Sequence, residues 1–297
     1  MKKLGLATAL LLAMTGAQAY QFEVQGQSEF IDNTANEQDF TGAVQGTYYF
    51  NNVDASKGPL AEAAFLNQAS NVSAAYTYGE DGQEFGNRTV HHTFGVKGEA
   101  YIPTNVVPAY ASASYSHTIA DNKAGKADDN GDRYALELGA LLIPNFLVAV
   151  GYTSVADQTS YDAFNILSNG VVKAGLESET IDEDQDAITA RTKYVGAIDG
   201  TNMSIGFESG LVYGEDTAYN LGTTLFLNPQ LSVGASYMES SFAGSPDKAW
   251  GANVNYFITP AVAVGASYVN ANYEANLAQT AQVRDTQTIG VNAKFRF

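Results

Sequence analysis

Apolar and polar residues alternate with period two through the last stretch of the chain, residues 288–297. Side chains two apart lie on the same face of a strand, so this stretch has one apolar face and one polar, basic face. The apolar face carries Ile289, Val291, Ala293, Phe295 and Phe297. A strand of this kind that ends in an aromatic residue is typical of transmembrane β-barrels of the outer membrane. It also predicts that the barrel-assembly machinery recognises the strand ending in Phe297.

The same alternation is found near the start of the chain, where Phe22, Val24 and Phe30 alternate with glutamines and glutamates. A sheet in lipid cannot leave an edge unpaired, so the first and last strands must pair with each other. The pattern therefore predicts an all-β fold, a transmembrane antiparallel β-barrel closed between its two ends.

Twelve more segments alternate between these two, which makes fourteen predicted strands. An even number fits a bacterial outer-membrane barrel with both termini in the periplasm. The segments lie at about 22–30, 40–50, 72–78, 92–102, 109–119, 132–143, 146–155, 187–198, 201–213, 217–227, 230–239, 247–258, 261–270 and 286–297.

Turn residues support the same topology. Six of the seven prolines fall in alternate connections, which also include the hairpin signal Asp199-Gly200. Proline lacks the N–H that a strand ladder needs, so it belongs in such turns. We expect short periplasmic turns at 51–68, 103–108, 144–145, 199–200, 228–229 and 259–260. The long extracellular loops are expected at 79–89, 120–131, 156–186, 240–246 and 271–285.

The amino terminus has the form of a signal peptide. Met1-Lys2-Lys3 precedes a short apolar run and the small-x-small site Ala17-Gln18-Ala19. The run is shorter than the roughly 20 apolar residues of a membrane anchor. We therefore expect residues 1–19 to be cleaved, which leaves residues 20–297 as the barrel in the outer membrane.

Composition narrows the class further. The chain has no cysteine, so no disulfide holds the fold, and its formal net charge of −17 disfavours nucleic acid as a partner. A soluble secreted β-protein would also alternate. Many evenly spaced strands, with polar faces carrying Gln, Glu, Lys and Arg between Gly and Ala, favour the membrane instead.

Period-two phasing turns most strand charges inward, because an Arg or Lys that faces lipid near the midplane costs about 2–4 kcal/mol. The predicted lumen-lining residues are Glu23, Glu29, Lys97, Glu99, Arg133, Glu137, Arg191, Lys193, Glu208, Lys294 and Arg296. The predicted lipid-facing residues include Val96, Leu138, Val150, Ile205 and Val254. Mixed lumenal charges suit a water-filled channel, but they can also pair with one another and close it. The sequence leaves both readings open.

Residues 51–68 interrupt the alternation at the periplasmic side. Proline suits the first turn of a helix, and the Ala, Leu and Glu that follow are strong helix formers. Either this helical segment packs on the rim of the barrel, or it forms a gate within or beneath the pore. The gate residues would be Gly58, Pro59, Leu60, Glu62, Phe65 and Leu66.

Signals for catalysis are weak. Of the three histidines, the adjacent His91 and His92 point to opposite faces of a strand, and no nucleophile motif accompanies His117. We expect no catalytic residue, no metal site and no cofactor. An acidic run at 177–186 is either a solvated surface or a site for divalent cations that bridge to lipopolysaccharide.

The leader, the mature start Tyr20 to Gln27 and the segment Gly58 to Asn67 resemble a known family. It is the Acinetobacter outer-membrane porin family named after its thirty-three-to-thirty-six-kilodalton gel band. The resemblance implies a fourteen-stranded barrel that conducts water and small solutes. It also implies links to carbapenem susceptibility and to adhesion to host cells through fibronectin.

We therefore expect a channel for passive diffusion of water and small polar solutes, surrounded by outer-membrane lipid and lipopolysaccharide. The alternative is an adhesin or structural barrel with a closed lumen, which would act through the extracellular loops 156–186 and 271–285. The sequence does not decide between them.

Overall fold

The computed structural model describes residues 19–33, 38–83, 87–122, 129–157, 162–164, 185–241, 246–272 and 285–297. Within these ranges, no helix is long and apolar enough to cross a membrane. Strand is the dominant secondary structure. The strands are β1 Ala19–Asn33, β2 Gln38–Asp54, β3 Asn71–Gln83, β4 Asn87–Ile102, β5 Ala109–Asn122, β6 Asp129–Ile143, β7 Phe146–Asp157, β8 Asp186–Ala197, β9 Ser204–Tyr213, β10 Thr217–Phe226, β11 Leu231–Ser240, β12 Lys248–Thr259, β13 Val262–Asn272 and β14 Thr286–Arg296.

The fourteen strands form one closed antiparallel barrel in which every strand pairs with its neighbours in sequence. The barrel closes between β1 and β14, whose register runs from Glu23 opposite Arg296 to Asn33 opposite Thr286. The terminal residue Phe297 continues this ladder, because its N–H donates to the carbonyl of Phe22 at 2.9 Å. The predicted closure, strand number and antiparallel order are confirmed.

Several strands extend further than the alternation indicates. β3 and β4 continue into the predicted loop 79–89, and β5 and β6 continue into the predicted loop 120–131. Ladder hydrogen bonds do not require an apolar face, so pairing persists where both faces are polar. The pattern of side chains therefore locates the apolar belt of the barrel, not the full height of its strands.

One predicted hairpin is wider than Asp199-Gly200 indicates. β8 ends at Ala197 and β9 begins at Ser204. Thr201 explains the difference: its hydroxyl donates to the carbonyl of Ile198 at 2.8 Å and accepts the Met203 N–H at 3.1 Å. Gly200 still supplies the positive φ, +74°, that the turn needs.

The outer face is apolar and exposed around the barrel. Val96, Leu138 and Val150 are 55%, 67% and 59% exposed, and Val254 is also exposed. Exposed apolar surface that surrounds a whole molecule is not stable in water, whereas it matches the hydrocarbon of a membrane. The wall is therefore built for lipid outside, and the lumen is where polar chemistry is concentrated.

Candidate functional site

The structure places all eleven charged residues predicted for the lumen on the inner face of the barrel. They alternate along their strands with the exposed apolar residues of the outer face. Glu62, on the segment after β2, joins them at the periplasmic end and is buried. These twelve side chains are six acids and six bases, so the lumenal set is balanced although the chain is strongly acidic.

One charged network spans β4 to β8 in the lower half of the lumen. Lys97 lies 3.0 Å from the carboxylate of Glu99, which also accepts the Tyr110 hydroxyl at 2.8 Å. The same hydroxyl accepts an N–H of Arg191 at 2.8 Å, and Arg191 forms a bidentate pair with Glu137 at 2.6 and 2.8 Å. Bidentate charge-assisted pairs hold planar side chains in fixed positions. This side of the lumen is therefore filled by rigid, paired charges.

A second network closes the seam between the two ends of the chain. Glu23 binds Lys294 at 3.1 Å and Arg296 at 2.7 Å. Arg296 is only 2% exposed, and its guanidinium lies over the rings of Tyr20 and Phe257 at 4.5 and 4.7 Å. Arginine tolerates such burial because its planar group both stacks on aromatic rings and pairs with carboxylates.

Two further predicted charges lie outside these networks on the inner face. Glu29, on β1, is buried and accepts the Thr41 hydroxyl at 2.9 Å, while the Gln27 amide donates to its other oxygen. Arg133, near the start of β6, is also buried.

The segment after β2 folds into a short helical turn at the periplasmic end. A 3₁₀ turn at Leu60–Glu62 leads directly into α1, Ala63–Leu66. Gly58 permits the entry, because its φ is +146° and a Cβ there would lie 2.8 Å from Leu66 Cδ1. The helical prediction for residues 58–67 matches this geometry, and Pro59 occupies the position just before the first turn.

Hydrogen bonds join this segment to hairpins on different sides of the opening. The Leu60 N–H donates to the carbonyl of Pro229 at 2.8 Å, in the β10–β11 turn. The Gln68 amide donates to the carbonyl of Pro144 at 3.3 Å, in the β6–β7 turn. These turns lie four strands apart from one another, and β6–β7 lies four strands from β2–β3. The segment therefore extends across the periplasmic opening instead of lying along one edge.

Apolar contacts hold the segment inside the wall. Phe65 is buried in a cluster with residues of β5 to β8 and β10, among them Leu141, Leu147 and Phe226. Leu60 is buried in a second cluster with Phe257 of β12. Ala63 completes the set in a cluster with residues of β1 and β2. Three side chains of one short segment thus contact three different sectors of the barrel.

Two basic side chains of the wall also contact the segment. Lys193 lies 2.8 Å from Glu62 and 2.8 Å from Glu208, and its ammonium is 5.2 Å from the Phe65 ring centroid. Arg296 donates to the carbonyl of Leu60 at 2.8 Å. Lys193 and Arg296 therefore connect the segment to the lumenal charges of the wall.

A cavity next to Glu62 and Glu208 lies on the β9–β12 side of the lumen. It has a volume of about 50 Å³, and its lining includes Glu62, Glu208, Asn220, Ser236 and Asn253. The lining thus combines two carboxylates, one of them on the segment, with amide and hydroxyl groups.

A piece of the β7–β8 connection also lies in the lumen. Ala163 and Phe164 are buried in a cluster with Ala75, and the Ala163 N–H donates to the Ser116 hydroxyl at 3.3 Å. A Cβ on Gly95 would lie 2.7 Å from the Cβ of Ala163. Residues 162–164, named here the loop tip, therefore occupy space that is open only because residue 95 is a glycine. Sequence reasoning placed the whole connection outside the barrel.

Sequence reasoning also missed Tyr110, the link between Glu99 and Arg191. The signal was available, because Tyr110 follows Pro108 at the start of β5, in phase with inward positions.

The predicted acidic run at 177–186 lies almost entirely outside the described residues. Within the described ranges, no group of three or more His, Cys, Asp or Glu residues is arranged to hold a metal ion.

Comparison with known proteins extends these observations. The family described as putative general bacterial porin matches residues 1–295. The crystal structure of the Acinetobacter baumannii outer membrane protein Omp33 is similar, with 54% identity, a TM-score of 0.69, and coverage of 95% of this chain and 100% of that one. The comparison with curated proteins finds no match.

Two more distant structures share the fold alone. The CymD monoaromatic hydrocarbon channel is 10% identical with a TM-score of 0.58, over 94% of this chain and 89% of that one. The Ralstonia pickettii toluene transporter TbuX is 8% identical with a TM-score of 0.54, over 94% and 90%. Closed barrels with little sequence in common can therefore adopt this architecture.

Proposed function

The chain belongs to the putative general bacterial porin family, and from that premise we propose that water and small polar solutes cross the outer membrane through it by passive diffusion. Residues 1–19 would be removed on export, and residues 20–297 would form the working barrel. Passive diffusion requires no catalytic residue and no cofactor, because the driving force is the concentration difference across the membrane.

The observation that carries the proposal is the polar inner face of a fourteen-stranded barrel. Fourteen strands enclose more space than inward side chains fill by themselves, and charged and hydroxyl-bearing side chains hydrate that space. The charges are held in pairs along the wall, as for Arg191 with Glu137. Paired charges leave a polar passage with no strong field of one sign, which suits uncharged solutes.

We further propose that residues 58–67 narrow the periplasmic end. Phe65 and Leu60 fix the segment by burial, worth roughly 1.5–3 kcal/mol each, while Lys193 and Arg296 bind it to the wall. A helical turn this short is unstable alone, so the wall contacts set its position. The passage beside it would admit water and exclude larger solutes.

Liposome swelling tests the function. Liposomes carrying the parent protein should swell in small polar solutes faster than empty liposomes, and the rate should fall steeply with solute size. Deleting residues 58–67 and rejoining the flanks should raise planar-bilayer conductance and admit larger solutes. A folded deletion variant that conducts like the parent would reduce the segment to a support for the rim.

Two observations favour a second candidate, a closed barrel that acts as an adhesin. Paired charges and the seated tip Ala163-Phe164 both occupy lumen space. Loops 156–186 and 271–285 would then bind a host matrix protein such as fibronectin, but most of both loops lies outside the described residues. Swelling equal to that of empty liposomes would favour this candidate.

A further inference from the structure

We propose that solutes cross along one side of the lumen, over the asparagine side chains Asn220, Asn253 and Asn255, named here the amide face. This face would favour uncharged solutes that hydrogen-bond, namely small amides and polyols, over inorganic ions. The inference rests on the proposed channel function and adds to it the route and the class of solute.

Charge is distributed unevenly around the lumen. The described inward positions of β10 to β13 carry no ionisable side chain. In contrast, β4 to β8 carry Lys97, Glu99, Glu137 and Arg191. The wall on the β10–β13 side therefore offers a solute amides and hydroxyls, while the two carboxylates that line the same cavity, Glu62 and Glu208, are held by Lys193.

Glycines leave room for the asparagines against the wall. A Cβ on Gly210 would lie 2.8–3.2 Å from atoms of the Asn220 amide, and a Cβ on Gly234 would lie 2.8–3.2 Å from atoms of the Asn253 amide. Each amide thus occupies the space that a neighbouring side chain would fill. The amides line the passage instead of projecting across it, and two of them, Asn220 and Asn253, line the cavity described above.

The opposite side of the lumen is occupied. The loop tip, residues 162–164, packs over Gly95 of β4 and Ser116 of β5. In a closed barrel of fourteen strands, β4 and β5 lie about seven strands from β11 and β12, across the lumen. Among the described residues, residues 162–164 therefore occupy the β4–β5 side and leave the amide face accessible.

The chemistry of a primary amide suits this route. Asparagine offers two donors and one acceptor oxygen, so it can replace either kind of hydrogen bond that water makes to an uncharged solute. An ion that sheds water there meets no charge on the face itself, and the two carboxylates that line the same cavity, Glu62 and Glu208, are already paired with Lys193. Shedding water without compensation is costly. Urea and glycerol should therefore pass more readily than ions of similar size.

The test compares two variants in liposome swelling, with urea as the solute. Asn220→Leu with Asn253→Leu removes two amides but keeps the number and branching of the side-chain heavy atoms. We expect urea flux to fall about threefold, since a lost hydrogen bond weakens a contact by a few-fold. Gln45→Leu is the control, because Gln45 is an inward amide on β2, away from the amide face, where it donates to Thr47 at 3.0 Å.

A second measurement tests the same route if the double variant assembles poorly. Asn253→Asp keeps the shape of the side chain and adds one charge, so the reversal potential in a potassium chloride gradient should shift toward cation selectivity. Equal urea flux in the double variant and in Gln45→Leu, or an unshifted reversal potential in Asn253→Asp, would overturn the route while the channel stands. No urea flux through the parent would overturn both the channel and the route.

Discussion

Replacing Lys193 by Met should release the periplasmic segment. The Lys193 ammonium lies 2.8 Å from both Glu62 and Glu208, so its loss leaves two carboxylates facing each other across the space it filled. Met retains most of the apolar stem. The change therefore removes charge while keeping much of the packing.

The magnitude follows from burial. Removing one partner of a buried ion pair costs about 3–5 kcal/mol, and the lower value applies because the Glu208 side chain is 32% exposed. Against this, burial of Phe65 and Leu60 holds the segment by roughly 3–6 kcal/mol in total. A loss of about 3 kcal/mol lowers the ratio of docked to undocked segment about a hundredfold. Undocked molecules should then become numerous enough to detect.

Single-channel recording in planar bilayers is the assay. Lys193→Met should show more frequent or larger openings than the parent. Lys294→Met is the control, because Lys294 pairs with Glu23 in the same lumen and has no ion pair with the segment. Adding Glu62→Gln to Lys193→Met removes one of the facing carboxylates and should return conductance toward the parent value. Identical records for Lys193→Met, Lys294→Met and the parent would refute the reasoning.

Three further predictions concern the wall, the loop tip and the closing strand. Val150→Arg should impair membrane insertion by about 2–4 kcal/mol, because the arginine would face lipid. The control Ser236→Arg, which faces the lumen, should insert normally. The neighbouring Ala149 is a poorer control position because it packs in the Phe65 cluster. Gly95→Leu should displace the loop tip and raise conductance, while Gly98→Leu, which meets open space, should not. Removing Phe297 should slow assembly, seen as less of the heat-modifiable folded band on gels, because its hydrogen bonds and ring stacking with Phe22 are lost. Equal insertion of the two Arg variants, unchanged conductance in Gly95→Leu, or normal assembly without Phe297 would contradict the respective arguments.

The sequence by itself determined the wall of this protein. Inward and outward positions follow from period-two alternation, which is a local property of each strand, and the positions of proline and glycine follow from backbone geometry. Glu99 and Val96 could therefore be assigned to opposite faces without a structure. The end of the chain required closure, because no lipid-exposed edge is tolerated.

Only the tertiary structure decided which lumenal groups meet. Arg296 and Glu23 are 273 residues apart, and Arg191 and Glu137 are 54 apart. Their contacts depend on strand register and on the circumference of the closed barrel, neither of which is encoded in local alternation. The helical character of residues 58–67 was readable from composition, but its position across the opening depended on turns at Pro144 and Pro229. The contact of the loop tip with Gly95 likewise forms only when β3, β4 and β5 lie side by side. A glycine leaves room for another residue only where neighbouring strands surround that room.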